Sequence, residues 1–304
     1  MNLPKITFIG FGEVASVFSS AIYEQSAEVR AYDVLMDTKD GIEILEKRSQ
    51  AKGISFMSLK DALTGADFIL STVTTSVAED AARSCAEHIR PGQMYIDLNA
   101  TAPSVKRRVS EIIQPTGADF VEGSILGAVG VTGSKTRILT GGPKGRKTAE
   151  TLTRLGLHAA YYSSEIGKAS TFKMLRSIFS KGLEVLLLEF LIAGKRAGME
   201  DDLWEEIVGL FKNNPFEVVA ANWIKTHATA HERRYHEMKQ VAEVLREIDL
   251  DPILTSGTEA FFKRSCELGM SDAFPEKPDT MEAVIEFMEK QLKEAEDKKG
   301  GSAA

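Results

Sequence analysis

The chain has 304 residues, of which 43% are hydrophobic and 27% are charged, and its formal net charge is −7. This length favours two domains over one, and the composition is that of an ordinary soluble globular protein. A negative charge without a basic face argues against nucleic acid as the main partner. No apolar run approaches the roughly 18–20 residues that cross a bilayer, so no membrane partner is expected.

The N-terminus lacks the pattern of a secretory signal. Residues 1–5 lead directly into a predicted strand, and glycines interrupt the segment that follows. The two cysteines, Cys85 and Cys266, match no metal-binding or redox spacing and are typical of reduced thiols. We therefore expect a cytoplasmic protein.

The first half of the sequence alternates short β-branched or apolar runs with helical patterns. Strands are predicted at 5–9, 28–32, 67–72, 93–98, 119–121 and 137–140. Helices are predicted at 13–25, 40–49, 58–63, 77–89 and 103–113. This alternation predicts βαβ units, and hence a mostly parallel sheet with right-handed crossovers.

From about residue 167 the pattern is continuously helical. One predicted helix, 168–198, is apolar through LEVLLLEFLIAG and is typical of a helix buried in a bundle or a subunit interface. Shorter helices are predicted at 202–211, 216–225, 230–248, 255–268 and 280–296. The predicted fold is an α/β domain, 1–164, followed by an all-α domain, 165–296, built on one long helix. The charged tail, 297–304, is predicted to be disordered.

The first predicted strand ends in a glycine-rich turn. Residues 6–18, ITFIGFGEVASVF, place Gly10-Phe11-Gly12 between this strand and the following helix. In the fingerprint of a Rossmann domain, the first glycine permits a tight turn and the second leaves room for a pyrophosphate. Ala15 takes the third small position, where the helix packs on the sheet. The alternative is a turn that uses glycine only for its own geometry.

Asp33 lies about 20 residues further on, at the end of the second predicted strand, where the fingerprint expects a carboxylate for the adenosine ribose. A carboxylate would repel a 2′-phosphate, and no arginine occurs in 34–38, so NAD is favoured over NADP. Lys39 keeps NADP open as the alternative. The residues expected to contact the dinucleotide are Gly10, Phe11, Gly12, Glu13, Val14, Asp33, Thr72, Val73, Thr74 and Asn99.

Four stretches resemble, in order and spacing, the β-hydroxyacid dehydrogenases related to 3-hydroxyisobutyrate and 6-phosphogluconate dehydrogenase. They are FIGFGEVA (8–15), DLNATAP (97–103), VEGSILGAVGVTG (121–133) and GKASTFKMLR (167–176). The resemblance runs from residue 3 to about residue 270 and marks a divergent branch. It implies NAD(P)-dependent hydride transfer at the hydroxyl-bearing carbon of a β-hydroxyacid or its semialdehyde or keto form. It also implies homodimers or homotetramers formed through the helical domain.

Lys173 matches the position of the family's catalytic lysine. A lysine one turn into an otherwise apolar helix can be partly desolvated, which favours its neutral form and suits proton exchange with a substrate hydroxyl. The alternative is a lysine that only covers the helix surface. The family's asparagine is replaced by Arg176, whose guanidinium could hold a carboxylate or phosphate. We therefore expect a small anionic substrate, with a carboxylate favoured.

The glycine-rich substrate loop allows two alignments. One places Ser124 at the family's serine, and the other places Leu126 there with Glu122 at the family's aspartate. The second is favoured because it keeps acid and glycine together, and it leaves backbone N–H groups around Gly127 and Ala128 for the substrate.

Asn99 and Thr101 follow a predicted parallel strand, where α/β proteins bind ligands, so contacts to nicotinamide or substrate are expected. Thr72, Val73 and Thr74 follow the preceding strand and are expected to line the cofactor crevice. For each of these residues the alternative is an ordinary turn position.

Two other clusters are interpreted as surface. His227 and His231 are four residues apart, but the order H-E-x-x-H is absent, so a solvated helix face without a metal is expected. Arg233 and Arg234 are expected to pair with Glu232 or Glu237 at the surface, and the alternative is a contact with an anionic substrate group in the interdomain cleft. The run 106–108 is predicted to form a basic helix face.

Three functions follow from these patterns. The favoured one is a dehydrogenase or reductase with Lys173 as general acid/base, with or without a decarboxylation step. An imine reductase of related architecture is the second, and the presence of lysine at 173 argues against it. The third is a non-catalytic dinucleotide-binding sensor.

Overall fold

The computed structural model describes residues 4–25, 27–49 and 53–300 of the chain. Within these residues, eight strands form one sheet in the order β3-β2-β1-β4-β5-β6-β7-β8, parallel except for the β6–β7 pair. The strands are β1 (Ile6–Ile9), β2 (Val29–Tyr32), β3 (Ser55–Phe56), β4 (Phe68–Ser71), β5 (Met94–Asp97), β6 (Asp119–Leu126), β7 (Arg137–Gly141) and β8 (Ala159–Ser163).

The helices associated with the sheet cover both of its faces. They are α1 (Glu13–Glu24), α2 (Gly41–Arg48), α3 (Leu59–Leu63), α4 (Ala78–Ala86), α5 (Pro103–Ile113), α6 (Val129–Thr132), α7 (Gly145–Arg154) and the start of α8 (Lys168–Ala197). Because parallel strands are joined by crossover helices, the central strands are buried on both sides and consist of nearly continuous apolar residues.

Strand alternation divides the apolar side chains between two cores. Phe8, Leu70 and Ile96 are aligned across β1, β4 and β5, and all three belong to the core that contains the apolar face of α1. Ile69 and Tyr95 point to the opposite face and pack with buried residues of α4 and α5. The predicted α/β architecture with a mostly parallel sheet is confirmed.

Elements at the ends of the sheet differ from the prediction. β3, β8 and α7 were not predicted, and β6 is longer than expected because it continues through Gly123, a residue that weakens a strand pattern. β3 has only two residues, and the residues of β8 are partly exposed. Both are edge strands of the sheet, where pairing with a neighbour decides strand formation.

The chain divides into two compact units, Met1–Phe179 and Ser180–Ala304, so the division falls inside α8. The second unit contains the rest of α8 and the helices α9 (Glu200–Asn213), α10 (Phe216–Glu247), α11 (Ile253–Glu267), α12 (Met270–Ala273) and α13 (Met281–Gly300). Among the helices of the described residues, none has the length and apolar content needed to cross a membrane.

Two predictions about the helical half are corrected. α10 is one helix where two were predicted, because the intervening segment 226–229 contains no glycine or proline and is buried at His227 and Ala228. The tail was expected to be disordered from residue 297, but α13 continues to Gly300. The remainder of the predicted tail, 301–304, lies outside the described residues.

His227 and His231 are buried, so the prediction of a solvated histidine face was wrong. The face of α10 that carries them packs against α11, where His227 Nε2 lies 2.9 Å from the Ser265 hydroxyl. His231 Nδ1 lies 3.1 Å from the His227 carbonyl oxygen. Arg233 pairs with Glu237 as predicted, whereas Arg234 donates to Thr226 Oγ1 at 2.7 Å.

Burial lowers the pKa of His227 to about 4, and electrostatic interactions with His231 and Arg234 contribute in the same direction. Because the folded pKa lies below the unfolded value, the unfolded chain binds the extra proton first. The contribution of His227 to stability is therefore fully present above about pH 6.5 and is lost as pH falls toward 4, and it is on the order of 1–2 kcal/mol after allowance for solvent screening.

We expect the urea concentration at the unfolding midpoint of the helical unit to be lower at pH 5 than at pH 7. This difference should be smaller in His227→Gln than in the parent. Tryptophan fluorescence suits the measurement because both tryptophans, Trp204 and Trp223, lie in this unit. The exposed His236 on the same helix supplies the control His236→Gln, which should keep the parent's pH dependence. Equal pH dependence in parent and His227→Gln would contradict the assignment.

Candidate dinucleotide-binding and active site

Three parallel strands, β1, β4 and β5, end at one edge of the sheet, level with Glu122 inside β6. Ile9, Ser71, Asp97 and Glu122 are aligned across β1, β4, β5 and β6. The segments after these residues contain most of the predicted site. This edge is where open α/β sheets bind ligands, next to the strand at which the chain order reverses.

The turn after β1 requires glycine at position 10. Gly10 has a φ of +81°, and an added Cβ would lie 2.8 Å from Val73 Cγ1 and 3.0 Å from the Thr72 carbonyl oxygen. The Thr72 hydroxyl donates to the Gly10 carbonyl at 2.7 Å, which ties this turn to the end of β4. At Gly12 an added Cβ would meet nothing within 4 Å. The space before the first turn of α1 is therefore open.

Asp33 joins the second strand to the glycine turn. Its Oδ2 accepts from the Phe11 N–H at 2.7 Å and its Oδ1 accepts from the Leu35 N–H at 2.9 Å. Each carboxylate oxygen retains a further lone pair for a ribose hydroxyl. The structure therefore gives Asp33 a role in shaping the turn that the sequence did not indicate.

A cavity of about 520 Å³ lies beside this turn. Its lining includes Arg48, at the end of α2. Arg48 was not among the expected cofactor residues, because it lies ten residues beyond the segment 34–38 in which an arginine for a 2′-phosphate was expected. The predicted cofactor residues that line it are Gly10, Phe11, Gly12, Asp33, Thr72, Val73 and Thr74. Its position and lining fit the adenosine and pyrophosphate part of a dinucleotide.

Glu13 and Val14 do not line this cavity. Val14 packs against the core beneath α1. Glu13 is exposed and lies against Gly130 of α6, where an added Cβ would collide with its carboxylate. The side chains of the first turn of α1 thus point away from the cavity, and only the backbone of this turn faces the expected pyrophosphate.

The loop after β5 is organised by a buried lysine. Lys106 Nζ donates to the carbonyl oxygens of Asp97 and Asn99 at 2.8 and 2.7 Å and lies 3.0 Å from Asp97 Oδ1. Lys106 was predicted to be part of a basic helix face, but it is fully buried, and only Arg107 and Arg108 of that run are exposed.

Asn99 and Thr101 lie in this loop and are buried. Asn99 Nδ2 donates to the Ser71 hydroxyl at 3.0 Å, while Asn99 Oδ1 and Thr101 Oγ1 have no hydrogen-bond partner. Buried polar atoms are normally satisfied, so these two atoms are available to a ligand. They are a second feature that fits a bound nicotinamide cofactor.

Glu122 attaches β6 to the first turn of α8. Its fully buried carboxylate accepts from the backbone N–H groups of Gly167 and Ala169 at 2.8 and 3.0 Å and from the Ser170 hydroxyl at 2.8 Å. An acceptor there satisfies N–H groups that have no partner within the helix and stabilises its positive end. Gly141 leaves space for Glu122, because an added Cβ would collide with the carboxylate.

The residues that the two alignments of the substrate loop propose as contacts differ in exposure. Ser124 is buried inside β6, opposite Leu139 of β7. Gly127 and Ala128 follow the end of the strand and are exposed, and Gly127 has a φ of +148°. The backbone around these two residues is therefore accessible, whereas Ser124 is part of the sheet.

Lys173 and Arg176 lie on α8 within the first three turns after the Glu122 contact. Lys173 is half-buried and Arg176 is exposed. The start of α8 lies beside the start of α5, because an added Cβ at Gly167 would be 3.4 Å from Pro103 Cβ. The helix that carries Lys173 therefore begins next to the helix that follows the Asn99 loop.

Residues 5–160 match the NAD-binding domain of 6-phosphogluconate dehydrogenase, and residues 195–265 match a domain of unknown function, DUF1932. The first match covers half of the chain. The chain belongs to the 6-phosphogluconate and 3-hydroxyisobutyrate dehydrogenase family. This confirms the resemblance inferred from the motifs, and the family comprises NAD(P)-dependent 3-hydroxyacid dehydrogenases.

Individual relatives show how divergent this member is. A conserved protein of unknown function, MTH1747, described as structurally similar to 3-hydroxyacid dehydrogenases, is 32% identical, with a TM-score of 0.58 over 88% of this chain and 97% of its own. Mitochondrial 3-hydroxyisobutyrate dehydrogenase from Homo sapiens is 22% identical over 67% of this chain and 61% of the enzyme. An imine reductase variant from Myxococcus stipitatus, in complex with NAD+, shares the fold with a TM-score of 0.75 at 17% identity over 94% of this chain and 99% of its own.

The two glycines of the turn should respond differently to alanine. We expect Gly12→Ala to unfold at the parent's temperature, since its Cβ enters open space, but to bind NADH at least about tenfold more weakly because the methyl occupies the pyrophosphate position. Gly10→Ala should lose about 1–3 kcal/mol of stability through its positive φ and its contact with Val73. Thermal unfolding and calorimetric titration with NADH measure both effects. Normal NADH affinity in a folded Gly12→Ala would exclude this location for the pyrophosphate.

Proposed function

We propose that the chain is an NAD(P)-dependent dehydrogenase or reductase acting at the hydroxyl-bearing carbon of a β-hydroxyacid or its semialdehyde or keto form. The observation that supports it is the sheet edge itself. There the dinucleotide cavity, the unsatisfied Asn99 and Thr101 side chains and the Glu122-capped start of the Lys173 helix all belong to one compact unit. The bound nicotinamide accepts or supplies the hydride.

Lys173 serves as the general acid/base in this proposal. In oxidation its neutral amine takes the hydroxyl proton as hydride leaves the same carbon, and in reduction its ammonium returns a proton to the carbonyl oxygen. The half-buried position of Lys173 on α8 agrees with a proton-transfer role beside a ligand. Lys173 follows the turn of α8 that Glu122 caps, so the helix backbone fixes the position of Lys173 relative to β6.

The substrate in this proposal is a small anion, with a carboxylate favoured. Arg176 lies one turn beyond Lys173 and is exposed, so its guanidinium is accessible for a bidentate contact. The exposed backbone at Gly127 and Ala128 offers N–H donors. Ser124 is the less favoured contact because it is buried within β6.

NAD is the favoured cofactor, because the Asp33 carboxylate lies in the cavity where a 2′-phosphate would otherwise be bound. Arg48 lines the same cavity, so NADP stays the alternative and both cofactors belong in every assay. An imine reductase is the second candidate activity, supported by the shared fold of the Myxococcus stipitatus enzyme and opposed by the lysine at 173.

Lys173→Met tests the acid/base role. Hydroxyacids, semialdehydes and cyclic imines are screened with NAD and NADP in parallel, following absorbance of the reduced cofactor. We expect turnover of the best substrate to fall at least about a hundredfold in the variant while NADH affinity is retained. The control Lys168→Met removes an exposed lysine on the same helix and should stay within about twofold of the parent.

Unchanged turnover in Lys173→Met would refute the mechanism. Turnover of imines alone would favour the imine reductase, and NADH binding without turnover of any compound would favour a dinucleotide sensor.

We further propose a homodimer or homotetramer formed through the helical unit. Several apolar side chains of α8 are between 42% and 54% exposed in the single chain, namely Leu183, Val185, Leu186, Leu188 and Ile192. A helix that is apolar on several sides is normally buried, and large exposed apolar patches mark interfaces. A second copy of the same helix is an occupant with matching apolar chemistry.

Sedimentation equilibrium at micromolar concentration should give a particle of at least twice the 33.3 kDa chain mass. Leu188→Glu should shift the particle toward the monomer, because the charge would be desolvated in the interface. Lys263→Gln on the exposed surface of α11 should not. A monomeric parent would contradict the proposal.

A further inference from the structure

Lys106 is a buried charge that the proposed chemistry does not use. It lies on α5 with its side chain fully buried, although the neighbouring Arg107 and Arg108 are exposed. All three of its ammonium hydrogens have acceptors: the Asp97 and Asn99 carbonyl oxygens and Asp97 Oδ1. The ammonium is therefore fully committed and does not act on a substrate.

A buried ion pair of this kind adds little net stability, because the cost of desolvating both charges offsets their attraction. Its effect here is to fix the conformation of the loop after β5. The Asn99 N–H donates to Asp97 Oδ1 at 2.9 Å, and the Thr101 N–H donates to the Asn99 carbonyl at 2.9 Å. The loop from Asp97 to Thr101 is thus closed around the Lys106 ammonium.

This closed loop leaves three buried side-chain atoms without a hydrogen-bond partner, namely Asp97 Oδ2, Asn99 Oδ1 and Thr101 Oγ1. Asn99 Nδ2 donates to the Ser71 hydroxyl, which leaves Asn99 Oδ1 as a buried acceptor. Thr101, two residues further along the chain, has a buried hydroxyl without a partner. The loop follows β5, on the side of β1 opposite to β2, the strand that Asp33 follows. A dinucleotide bound at Asp33 extends toward this side of the sheet.

We propose that Lys106 is a positioning residue that presents Asn99 Oδ1 and Thr101 Oγ1 to the carboxamide of the nicotinamide ring. This proposal rests on the proposed function for the presence of a nicotinamide cofactor. The carboxamide N–H donates to Asn99 Oδ1, and the Thr101 hydroxyl donates to the carboxamide oxygen. A substrate carboxylate does not fit the same place, because it has no hydrogen to donate to Asn99 Oδ1 and would be repelled by it.

Three ligands distinguish the proposed carboxamide contact from binding of the rest of the dinucleotide. NAD carries the carboxamide, nicotinic acid adenine dinucleotide carries a carboxylate in its place, and ADP-ribose lacks the ring. We expect the parent protein to bind NAD at least about tenfold more tightly than nicotinic acid adenine dinucleotide, since one atom of the ligand changes from donor to anionic acceptor. Calorimetric titration measures all three affinities without a substrate.

Lys106→Met should abolish this discrimination while leaving ADP-ribose affinity within about twofold of the parent. Arg108→Met, on the exposed side of the same helix, is the control and should keep the parent's ratio. Because Lys106→Met leaves the Asp97 carboxylate buried without its cation, its folding is checked by circular dichroism. Asn99→Ala and Thr101→Val remove the proposed contacts while keeping the ion pair, and each should lower NAD affinity without changing that of ADP-ribose.

A parent that binds NAD and nicotinic acid adenine dinucleotide equally would overturn the inference. So would a folded Lys106→Met that keeps the discrimination, or Asn99→Ala and Thr101→Val variants with unchanged NAD affinity. These results leave the turnover of the parent and of Lys173→Met untouched, so failure of this inference is distinct from failure of the proposed function. A parent that binds none of the three ligands would overturn both.

Discussion

The hydrogen bonds between the Glu122 carboxylate and the first turn of α8 connect the two chemical halves of the proposed site. Glu122 comes from the centre of the sheet, in line with Asp97 of β5, and α8 carries Lys173. A fully buried carboxylate is costly unless its oxygens are satisfied, and here backbone N–H groups and the Ser170 hydroxyl satisfy them. The same contact that stabilises the charge fixes where the helix begins.

Two of the buried charges at the carboxyl edge of the sheet, Glu122 and Lys106, are opposite in sign and have related structural roles. Glu122 holds a helix by its N–H groups, and Lys106 holds a loop by its carbonyl oxygens. Each uses its own hydrogen-bonding capacity to hold an element that carries a residue of the proposed site, α8 with Lys173 and the loop with Asn99. Both charges are removed from water, so the groups they position are held by electrostatics that bulk solvent screens little.

Much of the architecture could be predicted because it depends on local patterns. The apolar runs of the central strands, the Gly10-Phe11-Gly12 turn and Pro103 at the start of α5 are each specified within a few residues, and their elements were predicted within one or two positions. The elements that were missed depend on partners distant in sequence. β8 exists because β7 lies beside it, and His227 is buried because α11 covers it. Neither neighbour is visible in a window of the sequence.

The sequence by itself determined the family, the strand–turn–helix with its carboxylate at Asp33, and the position of Lys173 on a long helix, because spacing along the chain encodes these features. Only the tertiary structure decided which polar residues are satisfied. It showed Asp33 closing the glycine turn, Lys106 buried instead of forming a surface face, and Glu122 capping α8. The physical reason is that burial and hydrogen-bond satisfaction are properties of the space around a side chain, and that space is filled by segments 22 to 48 residues away in the case of Asp33 and Glu122.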